Sequence, residues 1–470
     1  MYSILEKLNK IEQNRLRKYV QSPYFNKNDT LVRLMEYFLE EINGGRNGEL
    51  TKEAVWSELG LAAPYDDVRF RKYCSDLLKM VENFLAQQLY EEDPLQQTAY
   101  LMDAVERKKL VKLYKSILKT ADRISELETI HSTDYYYHKY QIEMNRFQMM
   151  EAETNRAMRA NVEDISNNLD YFYFGEKLRL YNFILSQRHI ASHQYNFQFI
   201  DEITRHIGEN SKYEQIPPIA LYNQIQLTYT EPENETHYYK LKVLLDKFAE
   251  WFPVNQAKVE MYMSAQNYCI RKINQGNQHF VKELFILYKD LLKHELILAD
   301  GVLSPWYFRN IVVTGLRLGE FEWTENFIHQ YKDTLPEELR DNAVSFNLAT
   351  FYFYQKKFDK VIELLQTVEY EDFTYNLNSK AMLIATYYEK DEIEPLHSLL
   401  ESFRTYLNRN KTTIQEQRRV SFLNLIRHTK KLTRIIPGDK AGAEKLMREI
   451  EITKNVASID WLKEKISELA

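Results

Sequence analysis

Glycine is scarce in this chain, which has only 12 glycines among 470 residues, whereas about 7% is usual in globular proteins. Folds that bind nucleotides on a parallel sheet need glycine for tight turns and phosphate loops, so the deficit argues against them. Alternating β-branched residues are also rare, and Leu, Glu, Lys and Gln are abundant instead. The composition therefore predicts an all-α protein.

Cysteine and long apolar runs are scarce as well. The two cysteines, Cys74 and Cys269, are far apart and form neither a metal-binding motif nor a disulfide framework. No segment approaches the roughly 18–20 apolar residues that a membrane span requires, and the N-terminal residues lack the apolar stretch of a signal peptide. We therefore expect a cytoplasmic protein that does not enter the membrane.

Motifs that carry chemistry are absent from the sequence. His189 and His193 could share one face of a helix, but the zinc protease motif needs Glu directly after the first histidine, where Ile190 stands. Dinucleotide fingerprints, calcium loops and nucleophile elbows are not found either. We expect a protein without catalytic activity, and we assign no catalytic, cofactor-binding or metal-binding residues.

A spacing pattern recurs around the stretch LATFYFYQKKFDKVIELL at residues 348–365. Counting from Leu348, large apolar residues stand at offsets +4, +10, +13 and +17, and the same offsets from Leu383 again give large apolar residues. The two series are Leu348, Tyr352, Phe358, Val361, Leu365 and Leu383, Tyr387, Ile393, Leu396, Leu400. A period of about 34 residues that divides into two short helices predicts stacked helix pairs.

The same residues resemble the tetratricopeptide-repeat superfamily, with Ala349 added to the first series. The match is degenerate, because Ser345 replaces the early tryptophan and Val361 replaces the small residue where the second helix crosses. The chain is also similar to bacterial helical-repeat proteins without an assigned activity, through QSPYFNKN, NYCIRKIN and LSPWYFRNIV. The resemblance implies a right-handed α-solenoid of stacked antiparallel helix pairs, TPR-like, with a helical N-terminal cap.

The chain divides into three predicted segments. Residues 1–92 form a helical N-terminal region, and residues 93–255 form irregular hairpins with long, aromatic-striped helices. Residues 256–470 contain the TPR-like repeats and a basic C-terminal helix. Within them, Gly319 predicts a loop between paired helices, and Asp391 with Glu394 has the spacing of a capping box.

The strongest polar feature lies between residues 404 and 434, where nine Lys and Arg residues are accompanied by a single acid, Glu416. Residues 427, 430, 431 and 434 have i, i+3, i+4, i+7 spacing, which places four charges on one face of a helix. We assign the predicted partner-binding residues to this segment: Arg404, Arg409, Arg418, Arg419, Arg427, Lys430, Lys431 and Arg434.

The basic segment has two interpretations. One is a solvated helix face that balances acidic neighbours in the fold. The other is a surface for an acidic protein partner or for nucleic-acid phosphates. Because the chain has a formal net charge of −6, we prefer a protein partner, and we expect a non-enzymatic protein-interaction scaffold or adaptor.

The alternative function is a nucleic-acid-associated regulator that uses the basic C-terminal helix or the N-terminal helices. In the N-terminal region, Arg69, Arg71 and Lys72 open the second of two helices, as in winged-helix DNA-binding modules. Such modules need a β-hairpin after that helix, and the residues that follow here lack strand alternation. The sequence therefore favours a helical cap at this end.

Overall fold

The structure is a computed structural model that describes residues 1–45, 50–152, 161–187, 195–252, 256–367 and 373–470. Apart from one two-stranded hairpin, the regular elements in these ranges are helices, so the all-α prediction is confirmed. The residues group into two compact units, one of residues 1–177 and 216–219 and the other of residues 178–215 and 220–470. The three-segment division made from the sequence stays a prediction.

The helices are numbered along the chain. The first eleven are α1 Tyr2–Leu5, α2 Lys10–Gln21, α3 Asp29–Ile42, α4 Lys52–Glu58, α5 Asp67–Glu92, α6 Pro94–Arg107, α7 Val111–Leu127, α8 Thr133–Ala152, α9 Val162–Gln187, α10 Ile200–Glu209 and α11 Pro217–Thr230. The remaining ones are α12 Thr236–Phe248, α13 Gln256–Asn274, α14 His279–Lys293, α15 Pro305–Arg317, α16 Phe321–Tyr331, α17 Glu337–Tyr354, α18 Phe358–Thr367, α19 Phe373–Glu389, α20 Ile393–Arg409, α21 Glu416–Leu432, α22 Lys440–Ile452 and α23 Ile459–Leu469. Two strands, β1 Leu298–Ala299 and β2 Val302–Leu303, lie between α14 and α15.

In the first unit, the N-terminal helices α1 to α5 share one apolar core. Helix α2 begins with a capping box, in which Asn9 accepts from the Ile11 and Glu12 backbone and Glu12 accepts from the Asn9 N–H. A single residue, Asp93, separates α5 from α6. Asp93 is the N-cap of α6, and Pro94 is the first residue of that helix. Helix α6 therefore stands where a winged-helix module would have its β-hairpin.

In the second unit, each helix from α12 to α23 packs against the next one along the chain. Alternate helices also make contact, since α15 packs on α17, α17 on α19, α19 on α21, and α21 on α23. From α15 to α23, each odd-numbered helix therefore contacts the next odd-numbered helix as well as its neighbours along the chain.

Three consecutive hairpins in this unit turn in the same way. Gly319, Lys356 and Asp391 each have a left-handed backbone, with φ of 75°, 58° and 58°. In the α15–α16 turn, Gly319 N–H donates to Leu316 O and Glu320 N–H donates to Gly315 O, both at 3.0 Å. The other two turns repeat this pair of bonds, which is the Schellman motif that ends many helices. The turn residues are 37 and 35 positions apart, so the backbone follows the predicted period.

The predicted capping box at Asp391 is wrong. Asp391 is the left-handed residue of the α19–α20 turn, and the N-cap of α20 is Glu392, which makes no side-chain capping bond. The reason is that the Schellman turn places the left-handed residue one position before the N-cap, and Asp tolerates this conformation better than most residues.

Burial along the repeated register is strongest at offsets +13 and +17. Val361 and Leu365 in one hairpin, and Leu396 and Leu400 in the next, are all fully buried at 0% exposure. By contrast, the residue at +10 is only half-buried in the first hairpin, as Phe358, and is 39% exposed in the second, as Ile393. Among the repeated positions, the aliphatic residues of α18 and α20 are therefore more deeply buried than the aromatic residues Tyr352, Phe358 and Tyr387.

The β1–β2 hairpin was not predicted. Its turn consists of Asp300 and Gly301, which both have positive φ, at 51° and 79°. An Asp-Gly pair with this backbone is the preferred two-residue turn between antiparallel strands. The dipeptide was the available signal, but each strand has only two residues and shows no alternation.

Helices α15 and α16 approach each other closely at Gly315 and Thr324. A Cβ on Gly315 would lie 2.3 Å from the Thr324 Oγ1, which is fully buried and donates to the Glu320 carbonyl at 2.7 Å. We expect Gly315→Ala to lower the free energy of unfolding by about 1–3 kcal/mol, because overpacking outweighs the better helix propensity of alanine. Chemical denaturation followed by circular dichroism measures the change.

Gly208 in α10 provides the matched control, because a Cβ there would have no neighbour within 4 Å. Gly208→Ala is expected to leave stability unchanged or to raise it by up to about 1 kcal/mol. Adding Thr324→Ala to Gly315→Ala should recover part of the loss. Equal effects of the two glycine substitutions would contradict the close packing of α15 on α16.

Candidate partner-binding site

The basic segment forms two helices whose apolar faces share one core. Along α20, Leu396, Leu400, Phe403 and Leu407 are fully buried, and their i, i+4, i+7, i+11 spacing defines one face of the helix. On α21, the buried apolar residues are Phe422, Leu425, Ile426 and Leu432. Burial of these two faces leaves the basic side chains on the outer surfaces of both helices.

A groove of about 540 Å³ lies between these outer surfaces. It contains five basic side chains, contributed by both helices and by the residues just after α21. The lining residues are Arg404, Asn408, Leu423, Asn424, Ile426, Arg427, Lys430, Lys431 and Arg434. This set is named the basic groove below.

Three cations of the basic groove are paired with acids on neighbouring helices. Lys430 binds Glu401 of α20, and Lys431 binds Glu449 of α22 at 2.6 Å. Arg427 lies 4.0 Å from the same Glu449. The hydrogen bond from Lys430 lowers the pKa of Glu401, and the hydrogen bond from Lys431 lowers the pKa of Glu449. Both acids are therefore held in the charged form.

Two cations of the basic groove are not paired in this way. Arg404 and Arg434 are exposed, and neither forms an ion pair within 4 Å in the part of the chain that the structure describes. Five cations against two acids leave an excess of positive charge around the groove. An exposed arginine that is not engaged can bind a carboxylate or a phosphate through two parallel hydrogen bonds.

His428 lies below the basic groove and is fully buried. Its Nε2 is 3.2 Å from the Arg427 Nη2. Burial lowers the pKa of His428, and the charges of Arg427 and Lys431 lower it further, against the opposing effect of Glu449. The imidazole is thus kept neutral and can accept a hydrogen bond from the guanidinium, which holds Arg427 at the edge of the groove.

The other three predicted residues are not among those that line the groove. Arg409 is exposed at the end of α20, and Arg418 and Arg419 belong to the first turn of α21. Arg419 makes two hydrogen bonds to Glu416, at 3.0 and 2.8 Å, within its own helix. At about 100° per residue, position 418 of α21 faces away from position 427. Position 419 shares a face with position 430 but lies about three turns earlier in the helix.

Two asparagines of the groove were missed in the sequence. Asn408 stands one turn after Arg404 on α20, so the i, i+4 spacing was a usable signal. Asn424 donates to the carbonyls of Lys454 and Asn455, at 3.2 and 3.0 Å. No local sequence pattern predicts these hydrogen bonds of Asn424, because both acceptors lie 30 or 31 residues further along the chain.

Part of the positive charge also serves helix α21 itself. Lys430 and Lys431 stand in its last turn, where the helix dipole favours cations by about 0.3–1 kcal/mol each. A structural role and a binding role are compatible here. Charge-reversed variants of these lysines would therefore weaken the helix, and neutral glutamine is the better substitution for tests of binding.

A larger cavity of about 810 Å³ lies elsewhere in the second unit, next to α10, α11 and α12. Its charged lining residues are Glu209, Glu214, Lys240 and Lys247. Two lining residues are acidic and two are basic, so the charge of this cavity favours neither acidic nor basic partners. The basic groove differs because all its charged lining residues are cations.

The His, Cys, Asp and Glu side chains that could bind a metal ion are dispersed over the described residues. No cluster of three or more His, Cys, Asp or Glu residues in these ranges is placed to hold a metal ion. Burial raises the pKa of the Cys269 thiol to about 12 and also raises the pKa of Cys74, so both remain protonated near neutral pH. His189 and His193 lie outside the described residues.

None of the described helices is both long enough and apolar enough to cross a membrane. Comparison of the chain with models of known protein families, with curated proteins and with solved structures finds no match.

Proposed function

We propose that this protein is a non-enzymatic, cytoplasmic scaffold or adaptor that holds an acidic segment of a partner protein in the basic groove. The observation that carries the proposal is the convergence of Arg404, Arg427, Lys430, Lys431 and Arg434 around one concave surface. The cytoplasmic setting rests on the two distant cysteines, which offer no disulfide framework.

The scaffold role also draws on the arrangement of helices in the second unit. We infer a right-handed, TPR-like α-solenoid from the successive packing of α12 to α23, the contacts between alternate helices, and the repeated Schellman turn. Stacked helix pairs present extended surfaces that suit protein partners. The basic groove then lies towards the C-terminal end of the stack.

A protein partner is favoured over nucleic acid by charge and by composition. The chain has a formal net charge of −6, which opposes nonspecific binding to a polyanion. In the N-terminal module, Arg71 is bound to Asp67 at 2.6 Å, and the Arg69 Nε donates to the Tyr73 hydroxyl at 2.8 Å. These two arginines are therefore engaged within their own helix, and the regulator that binds nucleic acid is the second candidate.

The test uses fluorescence anisotropy with a short, fluorescein-labelled peptide rich in glutamate. The triple variant Lys430→Gln, Lys431→Gln, Arg434→Gln should weaken binding about tenfold or more, because three contacts of roughly 0.5–1 kcal/mol each are lost. Full-length protein is used throughout, and thermal denaturation confirms that the variant is folded.

The matched control removes the same number of charges outside the basic groove, through Arg409→Gln, Arg418→Gln and Arg419→Gln. We expect this variant to bind the peptide like the parent protein. Equal losses for both triple variants would show that total charge, rather than the groove, determines binding. An affinity for mixed-sequence RNA that exceeds the peptide affinity and falls steeply with salt would support the second candidate instead.

A further inference from the structure

The cations of the basic groove are not equally available to a ligand. Lys430 and Lys431 already hold carboxylates from Glu401 and Glu449, while Arg404 and Arg434 are exposed and have no such partner among the described residues. An incoming anion must therefore either compete with two internal carboxylates or bind only at the arginines.

We propose, building on the proposed function, that the basic groove selects a phosphorylated segment, with phosphoserine or phosphothreonine as the group recognised, and that Glu401 and Glu449 are the anions it displaces. The partner is thereby defined more narrowly than an acidic protein. At the two lysines, a partner with glutamate or aspartate alone would exchange one carboxylate for another of the same charge, so its gain would come from Arg404 and Arg434.

Charge per group is the first argument. A phosphoryl group has a charge of about −1.5 to −2 at neutral pH and three acceptor oxygens. Lys430 and Lys431 are adjacent in sequence and line the same groove, so one such group can replace the bonds that Glu401 and Glu449 make separately. The released Glu401 carboxylate returns to solvent, because its side chain is already 63% exposed. Glu449 is 29% exposed and keeps Arg427 as a neighbour at 4.0 Å.

The type of cation is the second argument. Three of the five cations are arginines, whose planar guanidinium groups match phosphate oxygens through paired hydrogen bonds. Arg404 is supplied by α20, Arg427 by α21, and Arg434 by the segment after α21. Donors from three parts of the chain can surround the three acceptor oxygens of a phosphoryl group, whereas a planar carboxylate would engage fewer of them.

The walls of the groove favour a peptide over RNA. Leu423 is half-buried and Ile426 is buried at 3% exposure, and they form the apolar part of the lining. None of the residues that line the basic groove in the described structure is aromatic, although single-stranded nucleic acids are normally bound on aromatic stacking surfaces. The volume of about 540 Å³ is that of a pocket for one modified side chain with its neighbours rather than of a long track.

The experiment compares three fluorescein-labelled peptides that are identical except at one central position, which is serine, glutamate or phosphoserine. We expect the phosphoserine peptide to bind the full-length protein about tenfold more tightly than the glutamate peptide. Its affinity should rise between pH 5 and pH 7.5, as the phosphoryl group passes its second pKa of about 6 and gains charge. The serine peptide should bind most weakly.

The variant Glu401→Gln, Glu449→Gln tests the displacement step. Removing the internal carboxylates frees Lys430 and Lys431, so the glutamate peptide should bind several-fold more tightly and the preference for phosphoserine should shrink. A purely structural role for the two acids would not change the ratio between the peptides. Glu444→Gln, on the exposed surface of α22, is the control and should leave both affinities unchanged.

Each outcome decides between the proposals. Equal affinities for the glutamate and phosphoserine peptides would overturn the phosphoryl preference and leave the scaffold with an acidic partner intact. Failure of both peptides to bind would overturn the proposed function together with this inference. Tighter binding of an RNA oligonucleotide of matched charge than of the phosphoserine peptide would replace both with nucleic-acid recognition.

Discussion

Replacing Phe403 with alanine is expected to lower the local free energy of unfolding by about 3–5 kcal/mol, the usual cost of truncating a buried phenylalanine. Phe403 has 0% exposure, and its ring centre lies 5.6 Å from that of Phe422. The two rings join α20 to α21 directly beneath the basic groove. Truncation removes this contact and leaves a cavity that the surrounding leucines fill only in part.

Hydrogen exchange measured by mass spectrometry is the suitable method for Phe403→Ala, because a chain with two compact units need not unfold in one step. Amides of α20 and α21 should exchange much faster, and those of α2 and α3 should not change. Ile393→Ala provides the control on the same helix, since Ile393 is 39% exposed. If Phe403→Ala lowers the local free energy of unfolding no more than Ile393→Ala does, the shared core of α20 and α21 is refuted.

Replacing Lys465 with methionine is the second substitution with a large expected effect. It should lower the free energy of unfolding by about 3 kcal/mol. Lys465 is 4% exposed, and its Nζ is 2.9 Å from Glu389 and from Glu468, and 3.2 Å from Glu464. Burial opposes the charge of Lys465, but the hydrogen bonds that Lys465 donates to these acids outweigh it and raise the pKa of Lys465. Without the lysine, the largely buried Glu389 keeps, among the described residues, the hydrogen bond from Trp461 at 3.2 Å.

A double-mutant cycle separates the charge effect from the packing effect at this site. Lys465→Met combined with Glu389→Gln should be clearly more stable than Lys465→Met alone, because no unpaired buried charge remains. Glu464→Gln is the control, since Glu464 is 63% exposed and its pairing should contribute less than about 1 kcal/mol. Thermal denaturation of the four proteins gives the coupling energy, and strictly additive effects would contradict a buried ion pair between α19 and α23.

The helices themselves were largely predictable, because helical periodicity depends on residues close together in the sequence. The predicted loop at Gly319 lies between α15 and α16, and Gly319 has a φ of 75°. The period that linked Leu348 with Leu383 reappears in the turn residues Lys356 and Asp391. The errors were local as well: the capping role of Asp391 and the short Asp300–Gly301 hairpin.

The candidate site was predictable only in part. The spacing of residues 427, 430, 431 and 434 placed four charges on one face of a helix, and all four line the basic groove. Arg404 joined them because α20 packs beside α21. Arg409, Arg418 and Arg419 have the same charge and lie in the same segment, but they are not among the residues that line the groove. Arg418 faces away from Arg427, and Arg419 is bound to Glu416 about three turns before Lys430.

The helical character of this protein and the place where positive charge is concentrated followed from the sequence alone, since both arise from side chains within a few residues of one another. Tertiary structure alone decided which of those charges share a groove and which acids neutralise them. Glu401 lies 29 residues from Lys430, and Glu449 lies 18 residues from Lys431. Such pairs form only when separate helices pack together, and the packing depends on apolar faces that contain none of these charges.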